Sequence, residues 1–223
     1  MSKKFYAAFV PILAFAAFAV MPAISQAAVH WYKCEPKAAG KYHDPDCTEK
    51  AAGNFELTKL PFEVGGVVAK TEVSSFGVLT FAVPAVPITV KCNVLDEGAV
   101  WNTVVEKNGL DEVTLFTNHK CLAAPACAGV TVTAVALPWA SELQPGPPIR
   151  DKIKGIQITV NCPGVLNEAF AGELEPKVVN NSPSYLEFGA GSGGLKSVGA
   201  GELTVAGKDF VQDFATAENI DAE

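Results

Sequence analysis

Ile88-Thr89-Val90-Lys91-Cys92-Asn93 recurs, 70 residues further on, as Ile158-Thr159-Val160-Asn161-Cys162-Pro163. Apolar residues hold the even positions of both stretches, and polar ones alternate with them. Neighbouring side chains point to opposite faces of extended backbone, so this alternation predicts a strand with one buried face. Ile88, Val90 and Cys92 are expected in the core, with Thr89 and Lys91 in solvent. The second stretch extends backwards through Ile156, with Gln157 outward. The match is too short to establish a duplicated domain.

Other segments follow the same rule less cleanly. Val67–Val73, Phe76–Val83, Val100–Val105, Glu112–Cys121, Val130–Thr133, Ala169–Leu174, Tyr185–Phe188 and Glu202–Ala206 are rich in strand-forming residues. Gly65-Gly66, Pro145-Gly146-Pro147-Pro148 and the glycines from Gly189 onward punctuate them, and Asn108-Gly109 reads as a hairpin turn. Sustained helical periodicity is missing after the first 27 residues. Short strands with frequent turns predict an all-β fold: a disulfide-stabilised β-sandwich with Greek-key-like connections. Two small β domains divided near Pro145–Pro148, or a β-barrel, are the alternatives.

The chain begins with Lys3-Lys4, runs apolar from Phe5 to Met21, and reaches Ser25-Gln26-Ala27. Small residues at Ser25 and Ala27 fit signal-peptide cleavage after Ala27. The apolar run is slightly short for a membrane span and contains Pro11. The expected organisation is a signal peptide at 1–27, a secreted β-rich domain at 28–215 with an N-terminal disulfide segment at 30–50, and an acidic tail at 216–223 that frays after Phe214.

All six cysteines (Cys34, Cys47, Cys92, Cys121, Cys127 and Cys162) lie beyond that cleavage site. An even number in an exported chain argues for disulfides, and the spacings lack the close pairs of a zinc site. Fifteen pairings are possible. Cys34 and Cys47 flank the turn-prone Asp44-Pro45-Asp46, whereas Cys121 and Cys127 border the connection between the two matching strands. This favours Cys34–Cys47, Cys92–Cys121 and Cys127–Cys162.

Cys34, Tyr42-x-Asp44-x-x-Cys47-Thr48, Val90-x-Cys92, Cys121, Cys127 and Cys162, with Trp139 ahead of a Pro-rich loop, resemble a pattern found in secreted bacterial proteins without a known activity. The resemblance covers most of the chain after the leader. It implies a secreted β-rich fold with paired cysteines and carries no functional residues with it.

The chain has 17 basic and 24 acidic residues, a net charge of −7, which becomes −9 once Lys3 and Lys4 leave with the leader. Without a basic block, nucleic acid is excluded as a partner, and no membrane span is expected after cleavage. Gly189-Ala190-Gly191-Ser192-Gly193-Gly194 matches a dinucleotide fingerprint, but glycines rather than a helix follow it, so it reads as a loop. Asp44, Asp46 and Glu49 lack the ligand order of a calcium loop. Nothing resembling a nucleophile elbow accompanies His43 or His119. Glu168, Glu173 and Glu175 read as a solvated group. Trp101 and Trp139 are the candidate ligand-binding residues, because their ring faces can pack against apolar ligand surface. No catalytic residue, cofactor or metal ligand is assigned. The expected function is non-enzymatic: binding an extracellular ligand or an envelope component, or a structural role there. An extracellular hydrolase assembled from dispersed residues is the alternative.

Overall fold

The computed structural model describes residues 27–104, 107–125, 127–180 and 183–223. The expected leader, through Gln26, and Val105 of an expected strand therefore lie outside the described residues. The described residues are all-β. Two N-terminal strands, β1 (Trp31–Tyr42) and β2 (Lys50–Lys59), are followed by the small hairpin β3 (Glu63–Val64) and β4 (Val67–Val68). Long strands then dominate: β5 (Thr71–Val83), β6 (Ile88–Trp101) and β7 (Leu110–Ala124). Next come β8 (Thr131–Val135), β9 (Trp139–Gln144), β10 (Arg150–Cys162), β11 (Leu166–Leu174) and β12 (Lys177–Val179). The chain ends with β13 (Tyr185–Phe188), β14 (Leu195–Ser197), β15 (Gly201–Asp213) and β16 (Ile220–Ala222).

Eight strands close into a barrel in the order β5-β6-β7-β9-β10-β12-β13-β15, with β15 returning to β5. The expected sandwich is corrected here in favour of the barrel alternative. A sandwich has two sheets with free edges, whereas Thr204–Asp213 pairs with Ala82–Val73 and leaves no edge between the last long strand and the first. Alternation puts one apolar face on each strand in either architecture, so it could not separate them. Three staves are broken in two. β8 and β9 share one side of β10, β11 and β12 its other side, and β14 and β13 both pair with β15.

The matching stretches lie on β6 and β10, and their predicted inward residues are buried: Ile88, Val90, Cys92, Ile156, Ile158, Val160 and Cys162. They pack with Leu79, Phe81, Phe170, Leu195, Leu203 and Val205 in one half of the barrel. A second apolar cluster fills the other end, where Trp31, Val73, Val100, Leu143, Val178, Ile220 and Ala222 meet. There β1 lies between β2 and β16. The acidic tail, expected to fray, instead pairs with β1, and Ile220 and Ala222 are buried. Asn108-Gly109 belongs to a longer connection between β6 and β7, and Gly109 N donates to Val29 O at 2.7 Å. A hairpin turn was expected there; the turn is held instead by the N-terminal segment.

Three disulfides join Cys34 to Cys47, Cys92 to Cys121 and Cys127 to Cys162, the favoured pairing. The second links the neighbouring strands β6 and β7, and the third ties the loop before β8 to the end of β10.

Candidate functional site

Between the two apolar clusters the inner wall carries four aspartates. Asp96 on β6, Asp111 on β7, Asp151 on β10 and Asp209 on β15 are 8 %, 8 %, 2 % and 1 % exposed. They form two groups with one register. Ser75 on β5 stands opposite Asp96, and Gly77, two residues on, stands opposite Asp209. Likewise Ser141 on β9 stands opposite Asp111, and Leu143, two residues on, opposite Asp151. Residues two apart share a face of a strand, so each middle strand aligns two carboxyls beside one serine. Gly77 permits the tight approach at the first group, since a Cβ there would lie 2.0 Å from Lys208 O.

The two carboxyls of each group interact directly, and among the described residues neither group has an ion-pair partner. Burial drives Asp96 and Asp111 well above the usual carboxylate range, and repulsion from Asp209 and Asp151 adds to the effect. Burial also pushes Asp151 up to about 7 and Asp209 up to about 6, opposed by hydrogen bonding to their partner carboxyls and serines. Two close carboxyls in a buried wall cannot readily both ionise, so each pair holds a proton between them. One oxygen on each (Asp96 Oδ1, Asp209 Oδ1, Asp111 Oδ2 and Asp151 Oδ1) accepts no hydrogen bond from the rest of the protein, beyond the proton shared within its pair. Ser141 Oγ also lacks a hydrogen bond of good geometry, although it is close enough to Asp151 to lower that carboxyl's pKa.

All four aspartates line a cavity of about 90 Å³ inside the barrel. Its remaining wall is mainly apolar, with Trp31, Leu79, Phe116, Trp139 and Ile153 among the lining residues. Trp31 reaches in from β1 and closes one end. Its Nε1 donates to Leu110 O at 3.0 Å, and its backbone is held by Asn102.

The sequence-predicted candidates are distributed differently. Trp139 is buried; it lines this cavity, donates from Nε1 to Val135 O and packs against Phe116. Trp101 is half-buried on β6 under the Lys70 ammonium, 4.1 Å from its ring centre, and does not line the cavity. In an ideal strand His119 would share the face of Cys121, two residues on. Lys120 between them has a positive φ of 52°, and His119 is exposed on an open outer groove with Phe76, Phe210 and Lys208. His43 is exposed. The Asp44 carboxylate accepts from Thr48 N, Thr48 Oγ1 and Glu49 N, contacts that hold it down at about 2 and use it as a turn clamp. Glu173 and Glu175 flank Lys152, while Glu168 accepts from Ser197 Oγ and Gly199 N. Among the described residues no cluster of three or more potential ligands is arranged to hold a metal ion.

Sequence reasoning missed the four aspartates, but one signal was present. Continuing the even-numbered alternation of β6 past Val94 puts Asp96 on the core face, and Asp209 has the parity of Leu203 and Val205. An acid on the apolar stripe of a strand is the signature of such a site. No family model, no curated protein and no solved structure matches the chain.

Proposed function

We propose that this chain is an exported, non-catalytic binding protein that holds a small ligand inside its barrel, acting at the cell envelope or in the medium. The observation that carries the reading is the cavity wall: an otherwise apolar chamber with a partnerless buried oxygen on each of four carboxyls. Unsatisfied buried polar atoms cost stability, so retaining four of them around one cavity is costly unless something else bonds them. Small eight-stranded barrels have interiors of a size to enclose one small ligand. Three disulfides are compatible with the oxidising destination that the N-terminal leader implies.

An extracellular hydrolase is the second reading, favoured by the same carboxyl pairs, since carboxyls with split proton affinities serve as acid and base. The chamber's size argues against it, because a polymer chain cannot reach carboxyls inside a space of about 90 Å³.

Native mass spectrometry on oxidised protein recovered from the medium or envelope tests the binding reading. The expected result is a low-mass species that leaves on unfolding. Ligand addition should also change tryptophan fluorescence, because Trp31 and Trp139 line the chamber. Protein that carries no such species, and whose fluorescence and melting temperature no small amine, alcohol or acid alters, would refute it.

A further inference from the structure

Resting on that reading, we infer that the interior chamber selects a small alkylammonium ion, whose N–H groups bond the partnerless oxygens of the Asp96–Asp209 or Asp111–Asp151 pair. The partnerless atoms are acceptors when ionised, so the complementary ligand is a donor, and a cationic one is favoured where no protein cation is present. An ammonium group supplies three donors on one point charge. The apolar side chains opposite, including Leu79, Phe116 and Ile153, suit a short hydrocarbon tail. A chamber of about 90 Å³ takes about four non-hydrogen atoms, scaled from the roughly 150 Å³ engineered cavity that accommodates benzene.

A bare metal ion fits less well. Calcium needs about six oxygen ligands. Each pair offers two carboxyls and a serine, and the two groups do not combine into a metal cluster. Anions are disfavoured by the acids themselves.

The charged surroundings leave the pairs to the ligand. Each aspartate faces its partner and Ser75 or Ser141, and Glu97 and Glu112 also line the chamber. Glu112 is tied to Lys70 at 2.6 Å. Arg150 and Lys152 flank Asp151 in sequence, but Arg150 donates to Glu175 O and Gly191 O and Lys152 pairs with Glu173 and Glu175; Lys154 pairs with Glu142, and Lys208 lies over the Tyr185 ring. An incoming cation therefore displaces the proton that a pair would otherwise share. Binding of one ammonium releases one proton, and the amine itself stays charged.

Calorimetric titration of the full oxidised chain with ethylamine, n-propylamine and 1-propanol, none larger than about four non-hydrogen atoms, tests this. An amine is expected to bind at least tenfold more tightly than the alcohol. Its affinity should strengthen with pH across the neutral range, by about tenfold per unit for one proton released. Asp96→Asn with Asp209→Asn, and Asp111→Asn with Asp151→Asn, each removing both carboxyls of one pair, should separate the two pairs, at least one double variant losing that preference. Equal binding of propanol and the amines, or tighter binding of the alcohol, would overturn the cation assignment while leaving the chamber a ligand site. Absence of binding by all three probes would overturn the assignment as well, and mass spectrometry then decides the parent reading independently. If either variant fails to fold, proton release measured on the unaltered chain in two buffers of different ionisation enthalpy decides the matter, and zero release overturns it.

Discussion

Asn102 shows how single residues shape this barrel. It is wholly buried, and its amide accepts from Trp31 N and donates to Trp31 O and Leu60 O at 2.8–2.9 Å. One side chain thus satisfies backbone groups on two segments that close the end of the chamber. Asn102→Ala leaves Trp31 N and Leu60 O without these partners and opens a void. It is expected to destabilise the fold by roughly 3 kcal/mol in urea unfolding. Asn102→Asp should cost at least as much, since it removes the two donors and buries a charge. Residues of this kind were invisible beforehand, because Asn102 falls inside Val100–Val105, read as strand from its neighbours, and its partners are remote in sequence. The aspartates were half legible. Asp96 continues the stripe of Ile88, Val90, Cys92 and Val94, whereas Asp151 is out of step with Ile156 and Ile158. Gly155, at φ 70°, and the register shift beside it invert the parity of β10 between them.

At the scale of elements, the least expected strand is β16. Its composition, Ile220-Asp221-Ala222 within an acidic end, predicts fraying, yet it completes the edge of β1. His30 N donates to Glu223 O at 2.8 Å, and Glu223 N returns a bond to His30 O at 3.0 Å. Ser184 Oγ donates to Asp221, whose carboxyl burial pushes up to about 6. Deleting Ile220–Glu223 removes a buried isoleucine and uncovers the strand that carries Trp31. A loss of about 3 kcal/mol or more is expected, with early proteolysis in β1 and β2 while the half around Ile158 and Phe170 stays protected from hydrogen exchange. Wild-type stability in the truncated chain would show that β16 is only laid against the surface. The long strands were readable because their alternation is local. Pairing order was not, since β5 meets β15 through contacts far apart in sequence. The disulfides lay between these extremes: adjacency ranked the pairings, and strand geometry realised them.

For the whole molecule, closure of the barrel over four acids makes stability a function of pH with a definite sign. Asp96, Asp111, Asp151, Asp209 and Asp221 all have folded pKa values above the ordinary 3.8. Above about pH 4 the unfolded chain has released protons that the native chain keeps, so native stability falls as pH rises. The decline continues through the Asp209 and Asp221 values near 6 and the Asp151 value near 7. Each retained proton contributes a slope of about 1.4 kcal/mol per pH unit. On the acid side Asp44, held at about 2, and the lowered Asp213 act in the opposite sense, so stability also drops as pH falls below about 4. Urea unfolding across this range should therefore place the maximum well on the acid side of neutrality. Asp209→Asn should flatten the alkaline limb by about one proton's worth of slope. A saturating alkylammonium ligand should flatten it as well, because a bound cation compensates the charge that the departing proton exposes. A curve that instead climbs from pH 5 to 8 would mean that the interior carboxyls are ionised when folded, and the shared protons would be wrong.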